Sequence, residues 1–306
     1  MIVLVTGGSG MVGKNLLEYL KEKTSCEVIS PTSFEMDLLN YASVKENLLK
    51  YNPDIVIHCA GLVGGIQANI KKPFSFLSIN MQMGLNLINV SIELKIKRLI
   101  NLGSSCMYPK DLNEALTEGD ILTGTLEPSN EGYAIAKIAI AKLCEYAEKE
   151  YGLRYKTIIP CNLYGKYDNF NPENSHMVPA VIRKTHNGLR RNFEVEIWGD
   201  GKARREFMYA GDLADFILFS LSHYDKLDSI TNVGLGHDYT ILEYYETIAD
   251  VIGYRGRFKF DLTKPVGMKR KLNSIKKQSV LGWKPRYTLK EGIIKTNEYY
   301  IQNYEI

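Results

Sequence analysis

The sequence predicts an α/β fold in which a doubly wound parallel sheet is followed by a smaller α/β C-terminal lobe. Short apolar runs alternate with longer amphipathic stretches throughout the N-terminal half. A glycine-rich turn directly follows the first run, and the alternation ends after Pro160. Strands that alternate with helices form right-handed crossovers and a parallel sheet. We therefore expect one domain over 1–165 and a second lobe over 166–306.

The predicted elements follow from local periodicity and β-branched content. The expected strands cover residues 2–6, 27–30, 55–59, 99–102 and 155–159, and the expected helices between them cover 11–23, 41–50, 75–95 and 133–151. In the second lobe we expect helices near 176–188 and 240–252 and a short strand at 195–198. The apolar segment 230–234 is expected to return to the main sheet, which joins the region near 205–235 to the first domain.

Composition excludes several functional classes. The 306 residues carry a net charge of +3 with short, scattered basic pairs, which favours a small anionic ligand over nucleic acid. The five cysteines include no CxxC pair, so we expect no metal site, no disulfide framework and a reducing compartment. No apolar stretch approaches the ~20 residues of a membrane span, and we expect a cytoplasmic protein.

The turn after the first strand has the glycine spacing of a dinucleotide site. Gly7 suits the tight turn, Gly10 allows close approach of a pyrophosphate, and Gly13 allows the helix to pack on the strand. The helix that begins there directs its N-terminus at the phosphates. Between a strand and a helix, this spacing predicts a Rossmann site for NADP(H) or NAD(H). Met11 and Val12 within the turn and Ala60 after the third strand complete this predicted cofactor contact.

The end of the second predicted strand does not choose between the two nicotinamide cofactors. An acidic residue there favours NAD and a basic one NADP, but segment 30–33 reads Ser-Pro-Thr-Ser. Asp37 and Leu38 suit adenine recognition. A solvated aspartate at a helix start explains Asp37 equally simply.

Tyr133 and Lys137 are spaced i, i+4, which places the phenol and the ammonium on one face of a helix. A nearby cation favours phenolate and lowers the pKa of a tyrosine. Ser104 or Ser105, just after the fourth strand, can bind the same carbonyl oxygen that Tyr133 protonates. This combination predicts reduction of a ketone.

Five blocks in chain order extend the pattern over nearly the whole chain. They read GSSCMYPK (103–110), GTLEPSNEGYAIAKIA (124–139), NLYGKYDNFNPENSHMVPA (162–180), WGDGKARREF (198–207) and KRKLN (269–273). Together they resemble the extended short-chain dehydrogenase/reductase family of nucleotide-sugar enzymes, and within it the GDP-L-fucose synthases, the epimerase-reductases of GDP-4-keto-6-deoxymannose.

The resemblance implies two chemistries in one site. Cys106 and His176 are implied as the acid/base pair that epimerises C3 and C5 next to a C4 ketone. The ketone is then reduced by the nicotinamide, with Tyr133 as proton donor, Lys137 beside it and Ser104 as the favoured serine. His176 also borders the cofactor. Without the resemblance, Cys106 reads equally as a small apolar residue at a core edge and His176 as a capping residue.

The substrate contacts are expected at the nucleotide end and near the sugar. Asn162, Arg205 and Lys271 are candidates for GDP, because a guanidinium fork suits phosphate. Lys184 is a candidate on the sugar side. Trp198 either lies near the guanine or fills the core. The resemblance also implies a homodimer built on the helices at 75–95 and 133–151.

Four positions depart from the family pattern. Ser9 and Ser33 stand where arginines usually meet the 2′-phosphate of NADPH, Lys184 replaces an arginine, and Val266 replaces an acidic residue. A related GDP-4-keto sugar such as a heptose, reduced at C4 without epimerisation, is therefore an alternative substrate. A nucleotide-binding regulator without catalysis is a further alternative, against which the intact serine, tyrosine and lysine argue.

Overall fold

The computed structural model describes residues 1–112, 114–172, 175–264 and 268–304. Its strands, in chain order, are β1 (Ile2–Thr6), β2 (Glu27–Ile29), β3 (Ile55–His58), β4 (Arg98–Leu102), β5 (Arg154–Pro160), β6 (Asn162–Tyr164), β7 (Val195–Trp198), β8 (Arg204–Arg205), β9 (Phe207–Tyr209), β10 (Ile230–Val233), β11 (Tyr239–Thr240), β12 (Phe258–Asp261) and β13 (Arg270–Lys271). Its helices are α1 (Met11–Lys23), α2 (Tyr41–Tyr51), α3 (Ile66–Lys71), α4 (Pro73–Glu93), α5 (Glu131–Tyr151), α6 (Met177–Arg191), α7 (Ala210–Ser222), α8 (Ile241–Ile252), α9 (Lys276–Leu281) and α10 (Leu289–Tyr304).

The main sheet has six parallel strands in the order β2–β1–β3–β4–β5–β10. After β2 the chain crosses to the other side of β1, so the strand order reverses between β1 and β3. Ligands of open parallel sheets bind at the carboxyl ends of the strands beside such a reversal. The predicted Rossmann class is confirmed, and the reversal places a cofactor crevice at the carboxyl end of β1.

Side chains alternate along each strand and bury against helices on both faces of the sheet. Val3 and Val5 pack with Leu16 of α1 and Phe216 of α7 on one face. On the other face, one cluster joins strand, α2, α4 and α5 residues, namely Leu4, Val56, Leu48, Leu87 and Ile140. These two cores make the sheet doubly wound and hold the strand ends rigid.

Helix boundaries shift by a few residues for identifiable reasons. The helix expected at 75–95 is α4, which begins with Pro73 at its first turn, a position that proline favours. It ends before Lys95, whose φ of +57° leaves the helical region. α5 begins earlier than expected and ends at Gly152, which has a left-handed φ of +68°.

The second lobe has its own core of aromatic and branched residues, in which Tyr164, Phe170, Ile197 and Tyr244 are buried. Three helices after Pro160 were not expected, α7, α9 and α10, and α7 packs on the main sheet. α7 packs beside α1, and its apolar residues are distributed around most of its surface, so it lacks the one-sided pattern of an amphipathic helix. None of the described helices has both the length and the apolar character needed to cross a membrane.

Candidate active site

The turn between β1 and α1 is shaped by two glycines that no other residue could replace. Gly7 has a φ of +73°, and a Cβ there would lie 2.5 Å from the backbone nitrogen of Ala60. A Cβ on Gly13 would lie 2.2 Å from the carbonyl oxygen of Gly7. Such distances are impossible for real Cβ atoms, so the close approach of turn, helix and β3 requires glycine at both positions.

The third glycine faces open space, as a phosphate cradle requires. A Cβ on Gly10 would meet only the carbonyl oxygen of Gly7, at 3.5 Å. Gly10 is the N-cap of α1, makes no side-chain cap, and is followed by a first turn without acidic residues. The first N–H groups of the helix, including those of Met11 and Val12, have no intrahelical acceptor. This arrangement fits the pyrophosphate of a nicotinamide dinucleotide.

The end of β2 offers hydroxyls and no cation. Ser30 Oγ donates to the carbonyl oxygen of Val5 at 2.9 Å, and Ser33 is exposed. Lys14, the nearest basic residue of α1 in sequence to the glycine turn, has its Nζ 5.2 Å from the ring centroid of Tyr167. Its ammonium is thus engaged with the second lobe.

Asp37 does not cap a helix. Its exposed carboxylate accepts the N–H of Leu39 at 2.9 Å, whereas α2 is capped by the side chain of Asn40. Leu38 is buried in the core below. Asp37 is exposed just before α2, as the solvated alternative expects, and its contact with adenine stays a prediction.

Tyr133 and Lys137 lie together near the carboxyl end of β4. Lys137 is 7% exposed, and its Nζ donates to the carbonyl oxygen of Leu102 at 2.8 Å. The same nitrogen lies 5.8 Å from the centroid of the Tyr133 ring. Burial lowers the pKa of Lys137 to about 8.

The expected effect of Lys137 on the pKa of Tyr133 stays a prediction. Burial raises the pKa of Tyr133 well above its usual range, the nearby Cys106 adds to the rise, and a hydrogen bond with the Ser104 side chain opposes it. Desolvation is the largest of these effects, and the Lys137 ammonium is directed at the carbonyl oxygen of Leu102. The raised pKa favours the protonated phenol, and Ser104 lies beside it.

The two serines have different surroundings. Ser104 is partly exposed and contacts Tyr133, while Ser105 is buried and lines a cavity beside Cys106. Ser104 Oγ also accepts the N–H of Cys106 at 3.3 Å, which caps the single helical turn at Ser105–Met107. This local turn brings Cys106 to the same side as Ser104.

Cys106 is partly buried and has two polar neighbours. Nδ2 of Asn130 donates to its sulfur at 3.1 Å, and Nζ of Lys271 lies 3.9 Å from the same atom. The sulfur also touches the apolar cluster around Met107. Its surroundings are more polar than the core-edge interpretation requires.

His176 is the N-cap residue of α6, but its ring makes no capping hydrogen bond. The capping interpretation of this histidine is therefore wrong. Burial lowers the pKa of its imidazole, which favours the neutral ring. A neutral imidazole at a helix start can donate or accept a proton.

Arg205 and Lys271 are brought together by a small three-stranded sheet in the order β11–β8–β13. They pair with each other across parallel strands. Arg205 is partly buried, and its Nη1 donates to the carbonyl oxygen of Arg204 at 2.8 Å. Lys271 was expected at the nucleotide, whereas its contact with Cys106 places it next to the reactive sulfur.

Asn162 is held by a neighbour that the sequence analysis does not single out. Its Nδ2 donates to the backbone oxygen of Glu206 at 3.0 Å. The Glu206 side chain, 1% exposed, accepts the N–H groups of Leu235, Gly236 and Asn273 at 2.6–2.9 Å. A charged residue directly before the apolar run of β9 was the available signal for this buried carboxyl.

Trp198 does not fill the core. It lies at the exposed end of β7, is 47% exposed, and donates its indole N–H to Glu196 at 2.8 Å. The ammonium groups of Lys184 and Lys264 lie 5.3 and 5.6 Å from its ring. The core interpretation is wrong because β7 pairs with β12 alone and its last residue faces outward. Val266 lies outside the described residues.

The crevice at β1 and the Ser104–Tyr133–Lys137 group define a nicotinamide-dependent oxidoreductase of the short-chain dehydrogenase/reductase type. The chain belongs to the NAD dependent epimerase/dehydratase family, whose sequence model matches residues 3–234. It is 54% identical to a GDP-L-colitose synthase of Yersinia pseudotuberculosis over 98% of both chains.

Two further relatives add detail. A GDP-L-fucose synthase of Azorhizobium caulinodans is 47% identical, over 99% of this chain and 97% of its own. A solved structure of a GDP-mannoheptose C4 reductase from Campylobacter jejuni, with NADP bound, superposes with a TM-score of 0.88 at 29% identity and covers 97% of both chains.

Proposed function

We propose that the protein reduces the C4 ketone of a GDP-4-keto-6-deoxy sugar with NADP(H) and epimerises the carbons next to that ketone. One observation carries the proposal: Ser104, which lies beside Tyr133, also accepts the N–H of Cys106 at 3.3 Å, so two side chains that can transfer protons, Cys106 and Tyr133, border the same serine. The names of the 54% and 47% identical relatives support the substrate class.

The chain's residues supply proton transfer and orientation. A C4 ketone acidifies the hydrogens at C3 and C5, so that Cys106 and His176 can move a proton off one face and onto the other. Tyr133 then gives its proton to the C4 oxygen while Ser104 hydrogen-bonds the same oxygen. A bound reduced nicotinamide supplies the hydride. Lys137, which donates to the Leu102 carbonyl, is proposed to bind the ribose next to Tyr133.

The GDP half is assigned to the second lobe. Arg205 and Asn162 are proposed to meet the diphosphate and sugar, and Trp198, with Lys184 beside its ring, to meet the base or the sugar. We propose the division 1–165, rejoined by the region near 205–235, for the cofactor and 166–306 for the GDP-sugar.

NADP(H) is the proposed cofactor, with NAD(H) as a weaker substitute. The NADP bound to the related heptose reductase supports this choice. The hydroxyls at the end of β2 argue for modest discrimination. A homodimer through α4 and α5 and a cytoplasmic location are part of the proposal, the latter because all five cysteines are unpaired.

Two neighbouring sugars are the competing substrates. The relative at 54% identity is named a GDP-L-colitose synthase, and the structural relative a GDP-mannoheptose C4 reductase. On a heptose the chain would act as a C4 reductase without epimerisation.

The deciding experiment offers three substrates with NADPH in D₂O: GDP-4-keto-6-deoxymannose, its 3-deoxy counterpart and a GDP-4-keto-mannoheptose. We expect NADPH oxidation with a 6-deoxy substrate, and deuterium at C5 of the product by NMR. NADPH oxidation without deuterium in the product would show that the protein is a C4 reductase without epimerase activity. If the protein binds NADPH but oxidises it with none of the three substrates, the alternative of a non-catalytic nucleotide-binding regulator would be favoured.

A further inference from the structure

Asn130 is a residue type that caps helices, yet its side chain does not cap the helix it begins. It occupies the N-cap position of α5 without a side-chain hydrogen bond to the first turn. Its Nδ2 donates to Cys106 Sγ at 3.1 Å instead. Its Oδ1 is buried and has no hydrogen-bond partner among the described residues. Because an N-cap asparagine usually satisfies a helix N–H, this side chain is committed to the sulfur.

A second donor reaches the same sulfur from the other lobe. Nζ of Lys271 lies 3.9 Å from Cys106 Sγ. The strand that carries Lys271 is fixed in register against β8, and the carboxylate of Asp238 binds Arg204 and Arg270 on the two strands. The backbone position of Lys271 is therefore fixed by strand pairing and by the Asp238 contacts.

No other titratable group among the described residues around the Cys106 sulfur supplies a positive charge. Among the described residues lining the cavity at Cys106, Lys271 is the one cation and Glu127 the one carboxylate. Glu127 accepts hydrogen bonds from the backbone and hydroxyl of Ser129 at 3.3 and 3.1 Å. Tyr108 donates to Asn232, and Tyr133 is neutral because burial raises its pKa.

We propose that Asn130 and Lys271 are positioning residues that fix the Cys106 sulfur and favour its thiolate. A thiolate accepts hydrogen bonds and is attracted by an ammonium, whereas a neutral thiol gains little from either. The two donors come from different lobes and meet at the one sulfur. The inference rests on the proposed function for its purpose, because a thiolate is the form that can remove a ring proton.

Alkylation tests the inference without any substrate. Iodoacetamide reacts with the thiolate, and mass spectrometry of the Cys106 peptide separates it from the other four cysteines. On the intact ligand-free enzyme at neutral pH, Lys271→Met is expected to slow alkylation of Cys106 about fivefold or more, the lower bound for losing an opposite charge about 4 Å away. Lys271→Arg keeps the charge and is expected to keep most of the rate.

Asn130→Leu removes the second donor and is expected to slow alkylation by a smaller factor, because an amide carries no charge. Equal Cys106 alkylation in wild type, Lys271→Met and Asn130→Leu would overturn the inference, whichever sugar proves to be the substrate. Should Lys271→Met lose its circular dichroism spectrum, Lys271→Gln takes its place. Weaker GDP-sugar binding with unchanged alkylation also contradicts the inference and leaves the proposed function intact.

Discussion

Arg205 and Lys271 occupy directly paired positions on the neighbouring parallel strands β8 and β13. Their sequence neighbours Arg204 and Arg270 are paired in the same way, and both donate to the Asp238 carboxylate. Because side chains alternate along a strand, the two pairs lie on opposite faces of the small sheet. On one face the Asp238 carboxylate pairs with both Arg204 and Arg270, and on the other face Lys271 lines the cavity at Cys106.

Arg205→Lys should raise KM for the GDP-sugar about tenfold or more with a smaller change in kcat, because a lysine lacks the planar fork that binds diphosphate. The matched control is Arg204→Lys, on the face held by Asp238. Steady-state kinetics at fixed NADPH measures both. An equal KM in the two variants would remove Arg205 from the substrate site.

Tyr133→Phe should lower the rate of C4 reduction about 100-fold or more, the lower range for a positioned general acid. The phenol donates the proton and does not hold the adenosine half. NADPH binding, followed by its fluorescence, should therefore be unchanged. Retained reduction by this variant would exclude Tyr133 as the donor.

Cys106→Ser should slow deuterium exchange at C3 or C5 and spare the reduction of a substrate that needs no epimerisation. A hydroxyl is a far weaker acid than a thiol, so the substitution keeps the shape and removes the proton chemistry. Exchange is read by NMR of substrate incubated in D₂O. Intact exchange with a lower melting temperature would return Cys106 to the role of a packing residue.

NADPH and NADH should differ in kcat/KM by less than about tenfold, because no charged side chain at the end of β2 selects the ribose. Ser33→Arg should increase the preference for NADPH, since a guanidinium there can reach a 2′-phosphate. Ser33→Ala is the control for loss of the hydroxyl. A strong wild-type preference for NADPH would implicate a cation elsewhere, with Lys14 the first to test.

The stability of the protein should fall as the pH rises through neutrality. Burial raises the pKa of Glu206 to about 7. The folded chain holds this proton more tightly than the unfolded chain, so the contribution is complete below the unfolded pKa and is lost as the pH passes about 7. In Glu206→Gln the denaturation midpoint should fall less steeply with pH. Burial also raises the pKa of Asp168 to about 7 and that of Asp212 to about 6. These two groups should preserve part of the pH dependence of stability in the variant. Identical slopes in the two proteins would contradict this account.

The first domain could be predicted because its signals are local. The turn at Gly7, the i, i+4 spacing of Tyr133 and Lys137, and the strand periods are each contained in a few adjacent residues. The contact of Lys271 with Cys106 joins residues 165 positions apart. This contact depends on the pairing of β8 with β13. Strands of two residues are too short to show a periodic pattern in the sequence.

The chain after Pro160 was harder to predict because burial there is not one-sided. α7 is buried on several sides and shows little contrast between faces. Trp198 illustrates the opposite error, since a large indole suggests a core position, while its place at the end of β7 leaves it 47% exposed. Asn130 was not singled out, because the expected helix begins at 133, whereas α5 begins at Glu131.

The position of β10 beside β5 has a consequence for synthesis of the chain. One edge of β5 pairs with β4, but the other edge, at Thr157 to Pro160, finds its neighbour in β10, about 70 residues later. At ribosomal speeds of about 5–20 residues per second, that edge stays open for roughly 4–15 s. An unpaired apolar edge invites association with other chains. A nascent chain halted at residue 165 should therefore recruit chaperones, and one extended past β10 should release them.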